Sequence, residues 1–165
     1  MQHTQDATPA GAGSADQLEL ERFIPYRLAV LADWVSRSLA TTYHERFGIS
    51  IPEWRIIAVL SRFQPLSAGE LSEFTNMDKP RVSRALQRLA AGELIKRERA
   101  AKDQRVAVIH LSDKGTALYS EIAPLALDWE QRLLEGFSAE QRVALDRLLD
   151  QLQDRLTAMR REPLE

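Results

Sequence analysis

The 165-residue sequence predicts a mainly α-helical fold with one small β-wing. Three observations predict it. Long segments near both ends repeat Leu, Ile and Val at helical spacing. Two short runs, 94–99 and 105–111, flank a polar turn as the arms of a hairpin do. Three S-x-x-E/Q patterns, Ser50 with Glu53, Ser67 with Glu70 and Ser138 with Gln141, mark helix starts where hydroxyl and carboxylate or amide satisfy backbone N–H groups.

The elements follow in order. Residues 1–17 hold no Lys or Arg and no apolar core, so they read as a disordered tail and not as a secretory signal. Leu18 to Phe23 predicts a short lead-in turn. Pro25 opens a long helix to about Arg46, with Leu28, Leu31, Val35 and Leu39 in one stripe, and Gly48 stops it. Pro52 falls in the first turn of a helix through Phe63, with Trp54, Ile57 and Leu60 facing inward. Gln64-Pro65-Leu66 reads as a loop. Ser67 then caps a short helix whose inward face is Leu71 and Phe74, and Thr75-Asn76-Met77 interrupts the periodicity as a turn. Asp78 caps the next helix, with Pro80 in its first turn, where a missing N–H costs nothing.

That helix has two faces. Val82, Ala85, Leu86 and Leu89 recur at inward spacing, whereas Lys79, Arg81, Ser83, Arg84, Gln87 and Arg88 point away. Leu94 to Arg99 and Arg105 to Leu111 make the two strands, joined by the polar Ala100 to Gln104. Lys96, Arg97, Arg99, Lys102 and Arg105 make the hairpin basic. Ser112 caps a helix from Asp113 to about Gly136, striped by Leu118, Ile122, Leu125, Trp129 and Leu133, which Pro124 is expected to kink or break. The last helix carries Leu145, Leu148, Leu149, Leu152, Leu156 and Met159.

Residues 48–112 therefore form a winged helix-turn-helix module, and 18–47 with 113–165 form a helical dimerisation region. The outer helices carry more apolar surface than so small a module needs, which favours an intersubunit bundle over a cover for the monomer's own core. Between Asn76 and Arg105 there are nine Lys/Arg against four Asp/Glu, while the whole chain is −2, so the remainder carries −7. Positive charge gathered on one module of an acidic chain points to DNA, with helix side chains meeting base edges and phosphates. The alternative reading is a winged-helix protein-interaction module without specific DNA binding.

Other classes lose support. The absence of cysteine removes thiol chemistry, and His3, His44 and His110 are scattered without metal-ligand spacing, so no metal site is expected. No phosphate-cradling glycine loop or framed nucleophile appears; no catalytic residues, enzyme activity or cofactor are expected. No apolar run approaches the roughly 18 residues that would span a membrane. The expected location is the cytoplasm.

From Ile24 to Leu156 the chain resembles the multiple-antibiotic-resistance-regulator (MarR) family of winged helix-turn-helix transcription factors. The most specific likeness is Leu94-Ile95-x-Arg97, then Asp103-x-Arg105, then Leu111-Ser112-x-x-Gly115. Met77-Asp78-Lys79 with Val82-Ser83-Arg84-Ala85 resembles the recognition helix of the branch that controls aromatic or heteroaromatic acid catabolism. The resemblance implies a homodimeric repressor on a pseudo-palindromic double-stranded operator, released by a small-molecule effector. It also implies that Arg105 enters the minor groove, braced by Asp103. The DNA-contacting set is then Lys79, Arg81, Ser83, Arg84, Gln87, Arg88, Arg99, Lys102, Asp103 and Arg105. Arg27, Trp34, Tyr43 and Trp54, with His110 as an addition, combine a cation with aromatic walls suited to a small aromatic or heteroaromatic carboxylate; the same aromatics also read as core or interface residues. Two departures stand out. The family's Gly before the Leu-Ile pair is Glu93 here, with Gly92 one place earlier, so the helix is expected to end one residue early. The family's Thr is Ser112, which keeps the capping hydroxyl.

Overall fold

In the computed structural model, which describes residues 18–99 and 107–160, local capping chemistry sets most element boundaries. The chain divides into two compact units, 1–37 and 38–165. In the first, Arg22 and Phe23 N–H donate to the Glu19 carbonyl in a turn that leads into α1 (Ile24–Phe47). Leu28, Leu31 and Trp34 are exposed on this part of α1, and Asp33 pairs with Arg37 one turn on at 2.9 Å.

In the second unit α1 ends at Gly48, whose positive φ of 67° suits a residue without a side chain. Helix α2 (Ile51–Phe63) starts at Ser50, whose N–H donates to the Glu53 carboxylate at 2.7 Å. A two-residue strand β1 (Leu66–Ser67) precedes α3 (Ala68–Thr75), which the Ser67–Glu70 capping box opens. The Ser67 N–H and hydroxyl hold the Glu70 carboxyl below its usual range. Asn76 takes a left-handed φ of 51° to end α3, and the Asp78 carboxylate accepts the Arg81 N–H at 2.7 Å to start α4 (Lys79–Ala91). Strands β2 (Ile95–Arg99) and β3 (Ala107–Leu111) pair antiparallel, and β1 joins the free edge of β3, giving the order β1-β3-β2. Helix α5 (Asp113–Leu133) and helix α6 (Ala139–Met159) complete the described chain. The core is built from Ile56, Ile57, Leu60, Leu71, Val82, Leu86, Leu89, Ile109 and Ile122, with Tyr43 from the end of α1.

Several expectations need correction. Leu66 was expected in a loop but adds a strand, because Gln64 Oε1 accepts the Leu111 N–H at 2.7 Å and brings it to β3. Phe74 does not face inward. It is 52% exposed and stacks on Phe63 at 4.9 Å, and Thr75, whose hydroxyl donates to the Leu71 carbonyl, is buried in its place. On α2 the buried apolar positions are Ile56, Ile57 and Leu60, while Trp54 is half-buried. Helix α5 stops at Leu133, short of Gly136, and Pro124, which is exposed, does not break it. There the missing N–H withdraws the helical partner of the carbonyl four residues earlier.

The end of α4 is the most informative difference. Gly92 keeps a right-handed conformation, and Glu93 takes the left-handed one at φ 59°. Leu94 N–H donates to Leu89 O at 2.9 Å and Glu93 N–H to Ala90 O at 3.0 Å, the paired bonds of a Schellman end. The helix therefore ends where the family's glycine would stand, with a glutamate carrying the strain. Ser112 locks this exit. Its hydroxyl donates to Glu93 O at 2.6 Å and accepts Gly115 N–H at 3.0 Å, and its own N–H donates to Leu94 O at 3.0 Å. A side chain at position 115 would drive into the Leu94 carbonyl, so the Ser-x-x-Gly spacing joins the β2–β3 hairpin, the exit from α4 and α5 at one point.

Candidate nucleic-acid interface

Helix α4 presents its face because its apolar side is consumed inside the chain. Val82, Ala85, Leu86 and Leu89 are all buried, while Lys79, Arg81, Ser83, Arg84, Gln87 and Arg88 are all exposed. The turn before it is rigid: the Ser72 hydroxyl donates to Met77 O at 2.5 Å and the Met77 N–H returns to Ser72 O at 3.1 Å. A helix held at its start by such a turn presents its polar side chains as one rigid unit, which is what entry into a major groove requires.

Arg88 differs from the others. Its Nε lies 3.5 Å from the carboxylate of Glu53, a residue only 6% exposed at the start of α2. The sequence reading treated Glu53 as a cap alone; the structure makes it a bridge between α2 and the last turn of α4.

The wing separates its basic residues by strand alternation. Ile95 pairs with Leu111, Arg97 with Ile109 and Arg99 with Ala107, and Ile95, Leu111 and Ile109 are buried. Arg97 and Arg99 therefore share the sheet face that meets α4. Lys96 and Glu98 lie on the opposite face with His110, whose Nε2 is 3.2 Å from the Glu98 carboxylate. That approach is an ion-pair distance without hydrogen-bond alignment, so the buried nitrogen has no directional partner. Between α4 and the wing lies a cleft of about 420 Å³, lined by Ala68, Gly69, Lys79, Val82, Ser83, Leu86, Arg97, Ala107 and Ile109. The face of Arg97 was readable as a period of two from Ile95, but only once the register was known. Lys102, Asp103 and Arg105, and the tail 1–17, lie outside the described residues.

The residues expected to hold a small acid are placed as follows. Arg27 and Trp34 are exposed on α1 within the first unit. In the second unit, Tyr43 is 1% exposed and meets Trp54 at 5.5 Å, and Trp54 stacks on Tyr119 of α5 at 6.0 Å. Burial pushes the Tyr43 phenol up to about 12, opposed in part by the charge of Arg55. Tyr119 was not singled out from sequence, because only folding brings α5 to α2. His110 sits on the wing beside Glu98. Among the described residues no His, Asp and Glu cluster could hold a metal, and no helix is long and apolar enough to cross a membrane.

Comparison with known proteins adds to this geometry. A family model described as the MarR family matches residues 47–106. A MarR/EmrR family transcriptional regulator from Acinetobacter sp. ADP1 is 30% identical, with a TM-score of 0.78 over 86% of this chain and 99% of that one. The HTH-type transcriptional regulator MgrA of Staphylococcus aureus is 27% identical over 109 residues, 66% of this chain and 74% of MgrA. A likeness of fold at 20% identity and TM-score 0.74 links 84% of the chain to 99% of Bordetella bronchiseptica BpsR, solved for the regulation of its DNA binding by 6-hydroxynicotinic acid.

Proposed function

The chain belongs to the MarR family of DNA-binding transcriptional regulators, and we propose that it acts as a homodimeric repressor released by a small aromatic or heteroaromatic acid. It is a regulator and not an enzyme. The observation that carries the reading is the exposed basic face of α4, held on a buried apolar side. Residues 48–112 read the DNA, and 18–47 with 113–165 join two copies. Helix α6 supports this division: it has no buried residue and packs on no other described element beyond a marginal touch. Two α4 helices enter successive major grooves of a pseudo-palindromic operator, with Lys79, Arg81, Ser83, Arg84, Gln87 and Arg88 on the bases and phosphates. Arg99, Lys102, Asp103 and Arg105 act from the wings. The protein works in the cytoplasm, where it has access to DNA.

The effector reading rests on the Tyr43–Trp54–Tyr119 aromatic cluster, in which Trp54 stacks on Tyr119 and lies tilted to Tyr43, with the Arg55 charge near the phenol, an environment that suits an aromatic ring carrying a carboxylate. BpsR, similar in fold, makes hydroxynicotinate-like acids the first compounds to screen. Such a ligand releases DNA only to the extent that it binds the non-binding arrangement more tightly.

Selection from a random duplex pool tests the reading. It is expected to enrich an inverted repeat with half-sites about 10 base pairs apart, centre to centre. Arg84→Ala then weakens binding to the enriched site more than to random duplex, while Lys102→Ala weakens both alike. Enrichment of no motif would overturn sequence-specific regulation. An acid that raises the melting temperature should lower affinity for the enriched site; one that raises both would contradict release.

A further inference from the structure

We propose that the cleft between α4 and the wing seats a DNA backbone phosphate between Lys79 and Arg97, which makes Arg97 a DNA-contacting residue in its own right. The cleft's floor is apolar, formed by Val82, Leu86 and Ile109, and its polar groups are Lys79, Ser83 and Arg97. Among the described residues no carboxylate lines it. Two cations and a hydroxyl over an apolar floor form a receptor for an anion attached to a hydrocarbon ring, and a phosphate on its deoxyribose has that chemistry.

The placement selects the backbone over the bases. Lys79 opens the first turn of α4 and Ser83 follows one turn later on its exposed side. When that side occupies a groove, the cleft beside it faces the groove's rim, which is sugar and phosphate. Cross-strand pairing with Ile109 lays the stem of Arg97 along the wing face that meets α4, so its guanidinium emerges at the cleft. Among the described residues neither Lys79 nor Arg97 has an ion-pair partner. Lys96, one residue away, provides an internal contrast: it shares the opposite face with Glu98 and His110.

This inference rests on the DNA-binding reading, and the experiment separates the two. A fluorescent mixed-sequence duplex is titrated with full-length protein over a series of salt concentrations, with circular dichroism confirming that each variant is folded. The wild type should show affinity that falls linearly with log salt. Arg97→Gln, which keeps a polar stem over Ile109, should bind more weakly and reduce the slope by about one unit, the value of one lost phosphate contact. Lys79→Gln should do the same, Arg97→Lys should retain the slope, and Lys96→Gln should change it by less than half as much. Equal slopes for Arg97→Gln and the wild type, or equal losses at positions 96 and 97, overturn the phosphate seat while leaving DNA binding intact. A wild type without salt-dependent duplex binding removes the DNA reading and this proposal together.

Discussion

Helices α4 and α6 both begin at a side-chain cap and both repeat apolar residues at helical spacing. Yet Val82, Ala85, Leu86 and Leu89 on α4 are 3% exposed or less, whereas Leu145, Leu148, Leu149, Leu152 and Leu156 on α6 are between 39% and 58% exposed. Amphipathicity states that a helix has a face to bury; it does not say against what. On α4 the face is met within the chain by α2 and α3, which leaves the charged side for DNA. On α6 the described elements leave it exposed beyond a marginal touch, and the proposed second copy is what would cover it.

The largest expected effect breaks the comparison at its buried end. Leu89→Ala removes most of a fully enclosed side chain and should cost about 2–5 kcal/mol in chemical denaturation. The paired change Leu148→Glu with Leu152→Glu should instead leave the winged module folded and convert dimer to monomer in sedimentation. If the α6 pair unfolds the module, or leaves the sedimentation of the chain unchanged, α6 does not join two copies.

A smaller effect sharpens the contrast along α1, whose exposed first turns lead to a buried Tyr43. Burial raises the phenol from 10.0 to about 12, so the fold favours the neutral form. Its contribution is fully present below pH 10 and is lost as pH rises towards 12, because the unfolded chain ionises first. The loss across that window should be about 2–3 kcal/mol. Tyr43→Phe should flatten this part of the stability–pH curve, and a curve identical to wild type would remove Tyr43 from the account.

The smallest effect concerns how α4 ends. Glu93→Gly relieves a left-handed residue with a side chain and should stabilise the protein by about 1 kcal/mol. The exposed Lys114–Glu93 pair at 3.8 Å, which the change removes, offsets little of that gain. A loss of stability would mean that the carboxylate supports the exit loop in a way the Ser112 bonds do not.

What the sequence determined by itself is local. Ser50, Ser67, Asp78, Ser112 and Ser138 begin helices because their caps join groups three residues apart, and no distant neighbour is needed. The two faces of α4 follow from its 3.6-residue period, and the gathering of charge on one module follows from counting. What only the tertiary structure decided depends on groups far apart in the chain. Gln64 reaching Leu111 turned an expected loop into β1. The register of β2 on β3 sent Arg97 towards α4 and Lys96 away from it, a choice that a shift of one residue would reverse. Glu93 accepted a left-handed conformation because Leu94 had to enter the core and Ser112 bound the loop there. Glu53 became the partner of Arg88 only when α2 packed on α4. Burial and register are set by packing partners that local sequence does not name, which is why the caps and the two faces of α4 were readable in advance, while these contacts and the outward turn of Phe74 were not.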